Sequence, residues 1–281
     1  MEIIKNILIT GAAGRPIALD IFYEEGTGKK PVVIYSHGFN GFKDWGNFDL
    51  IATRFAKEGF VFVKFNFSHN GTTPDHPEEF TDLELFGSNN YSKELEDLGL
   101  ITAWVLDPLN PFINIIDSGH INLLGHSLGG GMAILHAARD KRIYKLVTWA
   151  SISECKTPWG SWPPDKMAEW KLSGVQYYIN SRTHQEMPLY YQLFEDFENN
   201  KSQLSIKEAI SSLTIPVLIC HGKVDNAVPV ENAYLLNEWQ PASKLFILET
   251  DHVFGRRHPW PETWLPSATE YIVNESIQFL R

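Results

Sequence analysis

Cysteine and basic residues are both scarce in this 281-residue chain. The two cysteines, Cys155 and Cys220, cannot form the disulfide framework on which small secreted domains depend. Cys220 ends an apolar run, which is typical of a small buried side chain. Only 24 lysines and arginines stand against 34 acidic residues, so the net charge is −10 with neutral histidines. This balance argues against nucleic acid or an anionic membrane as the main partner.

Long hydrophobic runs are also missing. No stretch approaches the roughly 18 apolar residues that a membrane span requires, and the first five residues lack the layout of a signal peptide. We therefore expect a cytoplasmic protein without a membrane span. The ten histidines include no pair at helical metal-binding spacing and no cluster with carboxylates, so neither a metal nor an organic cofactor is predicted. The sequence specifies no oligomeric state.

The hydrophobic pattern predicts one large α/β domain. Residues 3–9 and 17–23 are interrupted apolar segments joined by a glycine-containing turn, which indicates an antiparallel pair at a sheet edge. Beyond residue 31, short β-branched and aromatic runs alternate with segments of helical periodicity. Such alternation favours a mostly parallel sheet with helices on both faces. The predicted strands are 32–35, 61–65, 120–124, 143–149, 215–220 and 244–248, and the predicted helices are 48–58, 92–106, 128–139, 230–239 and 266–280.

The alternation is interrupted between residues 153 and 212. This stretch contains the pair Pro163-Pro164 and nine aromatic residues between positions 155 and 197. A structureless loop of that length is rare inside a compact domain. We therefore predict a helical cap at 153–212, inserted into an α/β core formed by residues 1–152 and 213–281.

The most informative motif is Gly125-His126-Ser127-Leu128-Gly129-Gly130. It follows an apolar run and opens an apparent helix. A serine hydroxyl is a weak nucleophile unless it is exposed on a sharp turn beside a base and oxyanion donors. Glycine and serine also form ordinary turns, but the strand–turn–helix setting favours a nucleophile elbow centred on Ser127.

Two downstream loops provide candidates for the base and its orienting acid. Asp225 follows the strand at 215–220, and His252 follows the strand at 244–248. Because the carboxyl ends of parallel strands meet at one sheet edge, both side chains are expected near Ser127. Asp225 could alternatively brace a turn. Asp251 is a second candidate acid, although adjacent residues point apart.

Four motifs together resemble those of α/β-hydrolases, and more narrowly of compact esterases, dienelactone-hydrolase-like and prolyl-oligopeptidase-like members. They are His37-Gly38-Phe39, the Ser127 hexapeptide, His221-Gly222-Lys223-Val224-Asp225, and Asp251-His252-Val253-Phe254. The resemblance covers about residues 31–254. It implies an α/β-hydrolase fold, with a mostly parallel eight-stranded sheet, helices on both faces and a helical cap.

The resemblance also implies a role for each matching position. Ser127 would be the nucleophile, His252 the general base and then acid, and Asp225 the orienting acid. The backbone N–H groups of Phe39 and Leu128 would hold the oxyanion.

Other residues in and around these motifs receive weaker predictions. Trp159, Trp162 and Tyr190 are expected to line a substrate pocket, although aromatics of an insertion often form only its own core. His126 would touch the pocket wall or simply pack. His37 and His221 are interpreted as structural, and His69, which follows the strand at 61–65, as solvent-facing.

The leading hypothesis is a serine hydrolase that cleaves carboxylic esters of small to medium, apolar or aromatic character, through an acyl-enzyme and without a cofactor. Its partner would be a small-molecule ester. Two alternatives use the same three residues: a lipase or monoacylglycerol-lipase-like enzyme, and a peptidase or amidase. A third alternative, of another class, is a non-catalytic binding module on the same fold.

Overall fold

A computed structural model describes residues 1–281. It contains one eight-stranded sheet, one two-stranded sheet and nine α-helices. The strands are β1 (Glu2–Thr10), β2 (Pro16–Tyr23), β3 (Lys30–Ser36), β4 (Val61–Phe65), β5 (Ile116–His126), β6 (Ile143–Trp149), β7 (Val175–Ile179), β8 (Glu186–Tyr190), β9 (Val217–Gly222) and β10 (Lys244–Leu248). The helices are α1 (Phe48–Lys57), α2 (Leu83–Gly87), α3 (Tyr91–Val105), α4 (Leu128–Arg139), α5 (Pro164–Ser173), α6 (Gln192–Asn199), α7 (Ile206–Ser212), α8 (Glu231–Trp239) and α9 (Ser267–Leu280).

The large sheet has the strand order β1-β2-β4-β3-β5-β6-β9-β10. The six neighbouring strands β4, β3, β5, β6, β9 and β10 pair in parallel. At the other end of the sheet, β1 pairs antiparallel with β2, and β2 pairs antiparallel with β4. This arrangement confirms both the predicted parallel sheet and the predicted antiparallel pair at its edge. The parallel order also brings the carboxyl ends of β3, β5, β9 and β10 to one edge, where ligands bind in open α/β sheets.

Alternate residues of β3 pack into apolar clusters on opposite faces of the sheet. Val32 and Ile34 belong to the core cluster on one face, and Val33 and Tyr35 belong to the cluster on the other. Helices α3, α4 and α8 cover the first face and α1 and α9 the second, through residues such as Met132 in α4. Full burial of each such side chain contributes about 1.5–3 kcal/mol. No helix combines the length and apolar character needed to cross a membrane.

The antiparallel side of the sheet contains a buried ion network. The Lys64 ammonium contacts Asp20 at 3.0 Å, Asp49 at 2.6 Å and Asp44, while Lys43 contacts Asp20 at 2.8 Å and Asp44 at 2.5 Å. Burial alone would raise the pKa of Asp44, but the two ammonium groups outweigh burial and hold that pKa below its ordinary value. The three carboxylates lie close enough together for a metal ion. The lysines already neutralise them, so this cluster does not fit a metal site.

The predicted insertion contains helices, but it also contains the antiparallel pair β7–β8. The periodicity did not predict this hairpin, because its two five-residue strands are short and pair only with each other. Its turn is set by Asn180, whose side chain accepts hydrogen bonds from the N–H groups of Arg182 and Thr183. Helix α7 packs on α4 and α8, both of which lie against the large sheet. The short helix α2 was likewise not predicted.

Candidate active site

Ser127 sits on a sharp turn between β5 and α4. Its backbone has φ 58° and ψ −121°, a strained conformation for a residue with a side chain. The flanking glycines permit the turn: a Cβ at Gly125 would lie 2.3 Å from the carbonyl oxygen of Gly129, and one at Gly129 would lie 2.3 Å from that of His37. No other residue fits either position. The strand–turn–helix geometry is therefore that of a nucleophile elbow.

His252 and Asp225 come from the loops after β10 and β9. The Nδ1 of His252 donates to Asp225 Oδ2 at 2.7 Å. The other carboxylate oxygen, Oδ1, accepts from the N–H groups of Ala227 and Val228. Burial would raise the pKa of Asp225, but hydrogen bonds from His221 and His252 outweigh burial and hold it well below its ordinary value. Asp225 therefore stays ionised and fixes the tautomer of His252 with the proton on Nδ1.

Asp251, the alternative acid, is exposed and accepts from the N–H of Gly255 at 2.8 Å. It makes no bond to the ring of His252, in keeping with the opposite orientations of adjacent side chains.

His126 contacts His252 from the elbow side. Burial lowers the pKa of His126 well below its ordinary value, so its ring is neutral. Its Nε2 donates to the backbone carbonyl of His252 at 3.0 Å, and the two ring centroids lie 4.8 Å apart. The bond fixes the backbone that carries His252. Of the two residues interpreted as structural, His221 donates through Nε2 to the carbonyl of Val228 at 2.8 Å, and His37 accepts through Nε2 from the N–H of Phe67 at 3.3 Å.

Ser127 and His252 border the same cavity, of about 180 Å³. The serine hydroxyl and the His252 ring are not hydrogen bonded to each other. Such bonds are often long in ligand-free enzymes and tighten when a substrate is bound.

Two backbone N–H groups near Ser127 have no acceptor in the chain. They belong to Phe39, in the loop after β3, and to Leu128, the first residue of α4. The initial N–H groups of a helix have no intrahelical acceptor, and the positive end of the helix dipole favours a developing anion. Gly38 allows the close approach of the two loops, because a Cβ there would lie 2.9 Å from that of Ser127.

The walls of this first cavity are aromatic. Tyr35, Phe39, Trp45 and Phe48 border it together with His126. Arg256 packs behind the wall, with its guanidinium 4.7 Å from the ring centroid of Phe48. Sequence reasoning missed Tyr35, Trp45 and Phe48. The available signal was their position within and just after β3, in the loop that also provides Phe39.

The predicted pocket residues of the insertion, Trp159, Trp162 and Tyr190, do not border the first cavity. The ring of Trp159 packs edge-on against two phenylalanines of α6, Trp162 packs on Trp170, and Tyr190 packs against Gly87. These aromatics form the insertion's own core, the alternative considered from sequence. His126 both borders the cavity and packs.

His69 is buried, with 3% of its surface exposed and Nδ1 2.8 Å from the Ser68 hydroxyl. The solvent-facing prediction was wrong because the loop after β4 folds beneath α2 and α3.

A second, smaller cavity of about 20 Å³ lies on the other side of Phe39. Phe39 is the one residue that borders both cavities, and Leu128 borders the second. Residues of the insertion, including Leu189 and Leu193, form part of its wall. The first cavity contains no insertion residue.

A family model described as the alpha/beta hydrolase fold matches residues 31–187. This match covers more than half of the chain, and the protein belongs to the α/β-hydrolase family. The match agrees with the observed sheet and elbow, and it confirms the resemblance identified from sequence.

Among curated proteins, the 2,6-dihydropseudooxynicotine hydrolase of Paenarthrobacter nicotinovorans is 25% identical over 240 residues, which cover 85% of this chain and 56% of that protein. The chain spans 34–56% of the length of the curated relatives it matches. Two solved structures share the fold over almost their whole length. The α/β-hydrolase GrgF from Penicillium sp. sh18 has a TM-score of 0.71 at 17% identity, over 100% of this chain and 98% of that one. Est1E from Butyrivibrio proteoclasticus has a TM-score of 0.69 at 16% identity, over 99% and 98%.

Proposed function

We propose that this hydrolase cleaves carboxylic esters of small to medium, apolar or aromatic character through a serine acyl-enzyme. The observation that carries the proposal is a convergence of three features at one edge of the large sheet, beside the first cavity. They are the strained Ser127, the His252–Asp225 pair and the free N–H groups of Phe39 and Leu128. Each feature meets one chemical need of acyl transfer.

In the proposed reaction, Ser127 Oγ attacks the ester carbonyl while His252 Nε2 takes the hydroxyl proton. The Oγ–C bond forms, and the carbonyl oxygen becomes an oxyanion held by the two N–H groups. The intermediate then expels the alkoxide, which receives the proton from His252. A water molecule next gives a proton to His252 and attacks the acyl carbon, and the carboxylic acid leaves as Ser127 regains its proton.

The size and chemistry of the first cavity support the substrate class. An apolar cavity of about 150 Å³ in another protein holds a benzene molecule. The cavity of about 180 Å³ beside Ser127 is therefore large enough for one aromatic ring or a short alkyl group. Its aromatic wall suits an apolar group better than a charged one.

The proposal includes a cap at residues 153–212, set on a core of residues 1–152 and 213–281. One contact between the two supports it. Tyr178, in β7, donates through its hydroxyl to Asn40 Oδ1, directly after Phe39. The insertion thereby braces the loop that carries one oxyanion donor.

The direct test is labelling with a fluorophosphonate probe, alongside hydrolysis of p-nitrophenyl esters of increasing acyl length. Wild type should be labelled and active, and Ser127→Ala should be unlabelled, with kcat reduced by about 10⁴-fold or more and an unchanged melting temperature. Ser151→Ala, at a buried serine near the elbow, is the matched control and should remain labelled. Turnover retained in Ser127→Ala would exclude this nucleophile. Absence of labelling in the folded wild type would favour the non-catalytic binding module, and faster cleavage of matched p-nitroanilides would favour a peptidase or amidase.

A further inference from the structure

Two residues that border the second cavity each have a buried oxygen without a hydrogen-bond partner. Glu94, in α3, is 5% exposed, and its Oε1 accepts from Asn89 Nδ2 at 2.8 Å. Glu94 Oε2 and Asn89 Oδ1 have no hydrogen-bond partner, and both residues border the cavity. Each unsatisfied buried oxygen costs about 1–3 kcal/mol, and a ligand group that pairs with both atoms would remove that cost.

The protonation of Glu94 defines what the pair can bind. Burial, with no cation beside it, raises the pKa of Glu94 to about 8, so the group is a neutral acid at pH 7. With Oε1 already accepting a bond, the proton resides on Oε2, which is then a donor. Asn89 Oδ1 is an acceptor. A hydroxyl satisfies both atoms at once, since it accepts one hydrogen bond and donates another. The volume of about 20 Å³ fits a single group of that size.

The position of the cavity relative to His252 decides which end of the ester enters it. His252 must protonate the leaving alkoxide, so the alcohol portion lies on the His252 side, where the first cavity is. The second cavity does not border His252. It borders Leu128 and Phe39, the two residues whose N–H groups hold the oxyanion in the proposed reaction. This is the acyl side.

We propose that the second cavity is an acyl subsite that selects short acyl groups bearing a terminal hydroxyl, which is held between Glu94 Oε2 and Asn89 Oδ1. The chain would pass between the side chains of Phe39 and Leu128. This inference rests on the ester-hydrolase function proposed above and names the acyl class for that same site. It assigns Glu94 and Asn89 to specificity and not to bond cleavage.

The test uses benzyl esters, because the aromatic alcohol suits the first cavity. Three acyl series of three to six carbons are compared: ω-hydroxy, ω-methoxy and unsubstituted. Benzyl alcohol release is measured by chromatography, and release in the presence of Ser127→Ala is subtracted to remove spontaneous cyclisation. For wild type, kcat/KM for the best hydroxyacyl ester should exceed that of its unsubstituted match by about tenfold or more. A ratio near one at every chain length would overturn the proposal and leave the pair as the site of a bound water.

Variants at Glu94 are compared by the ratio of kcat/KM for the hydroxyacyl ester to kcat/KM for its unsubstituted match. A change that affects both esters equally leaves this ratio unaltered. Glu94→Gln places an amide N–H where the acid proton was, so the preference should persist. Glu94→Met removes the donor, and the ratio should fall to about one. Glu96→Gln makes the same side-chain substitution at an exposed position of the same helix and should leave the ratio unaltered. Preference retained in a folded Glu94→Met would contradict the assignment.

A pH profile provides a readout that does not depend on the folding of Glu94→Met. Ionised Glu94 cannot donate, so the wild-type ratio should decline above about pH 8, while Glu94→Gln stays flat. The titratable neighbours are Tyr91, Asp97 and Cys155. Burial raises the pKa of Tyr91 and of Cys155 far above this range. Burial also raises the pKa of Asp97, but only to about 6. A wild-type ratio that is constant from pH 6 to 9.5 would overturn the role of Glu94.

Measuring ester binding without turnover distinguishes failure of the proposed acyl subsite from failure of the proposed ester-hydrolase function. Ser127→Ala, followed by tryptophan fluorescence, should bind the hydroxyacyl benzyl ester about tenfold more tightly than its unsubstituted match. If wild type cleaves no ester but this difference persists, the subsite is supported and the ester-hydrolase proposal fails. If plain esters are cleaved and bound as well as hydroxyacyl esters, only the subsite fails.

Discussion

The two cavities on either side of Phe39 differ in where their walls come from. No residue that borders the first cavity belongs to the insertion, and Ser127 and His252 lie in the segments that follow β5 and β10. The second cavity is lined by the core on one side and by Thr157, Leu189 and Leu193 of the insertion on the other. In the proposed reaction, the sheet edge therefore supplies the reactive groups, whereas the insertion forms part of the proposed acyl subsite.

The largest effect is expected at the sheet edge, with Asp225→Asn. An amide cannot hold His252 in the tautomer that leaves Nε2 free, so kcat should fall by about 10⁴-fold with little loss of stability. Asp251→Asn, the adjacent exposed carboxylate, should stay within about twofold of wild type. Steady-state kinetics on a p-nitrophenyl ester distinguish the two. A larger effect at Asp251 would transfer the acid role to that residue.

Loss of a buried lysine charge should lower the free energy of unfolding more than loss of a lysine charge at the surface. Lys64→Met leaves the buried Asp20 with fewer ionic partners and should cost about 3–5 kcal/mol of unfolding free energy. Lys156→Met removes an exposed pair with Glu154 and should cost less than about 1 kcal/mol. Urea unfolding monitored by circular dichroism measures both. Equal losses would mean that the buried network contributes no more than a surface pair.

The free energy of unfolding should depend on pH through Glu94, which borders the second cavity. Folded Glu94 keeps its proton up to its pKa of about 8, whereas the unfolded side chain loses it near 4.5. Folding therefore takes up a proton between these values, and wild-type stability should fall as pH rises from about 5 to 8, by up to ~1.4 kcal/mol per pH unit. Glu94→Gln lacks this contribution.

The measurement is urea unfolding of wild type and Glu94→Gln at several pH values. The difference between them isolates Glu94 because Asp97, whose pKa is raised to about 6 by burial, titrates in both proteins. Parallel stability profiles for the two would contradict a protonated Glu94.

The smallest effect should come from the contact of the insertion with the oxyanion loop. Tyr178→Phe removes the hydrogen bond to Asn40 and should lower kcat/KM by about three- to tenfold, with little change in melting temperature. Tyr177→Phe, on the exposed face of β7, is the matched control and should have no effect. Identical kinetics in both variants would mean that the insertion does not position the oxyanion loop.

The sequence predicts the core far better than it predicts the insertion, for a physical reason. Strands buried on both faces must be nearly continuous apolar runs, and the elbow requires glycines at Gly125 and Gly129, so both leave local patterns. The aromatic side chains of the insertion could either pack within the insertion or line a pocket, and no local sequence pattern decides between the two. The packing of Trp159 and Trp162 within the insertion therefore could not be predicted from the sequence.

Other features depend on contacts between segments far apart in the chain. The β7–β8 hairpin went undetected because its strands are short and half-exposed. The burial of His69 and the pairing of Asn89 with Glu94 arise from tertiary packing. Tyr35, Trp45 and Phe48 were missed because the residues that line a cavity, unlike those of a strand, have no regular spacing in the sequence.

The central claim is that Ser127 carries the acyl group. Rapid quenching of wild type with an excess of p-nitrophenyl ester, followed by peptide mass spectrometry, tests it directly. One acyl increment is expected on the peptide that contains Ser127, with a burst of p-nitrophenol equal to the enzyme concentration where deacylation is slow. Stoichiometric acylation of a different residue, with Ser127 unmodified during turnover, would contradict it.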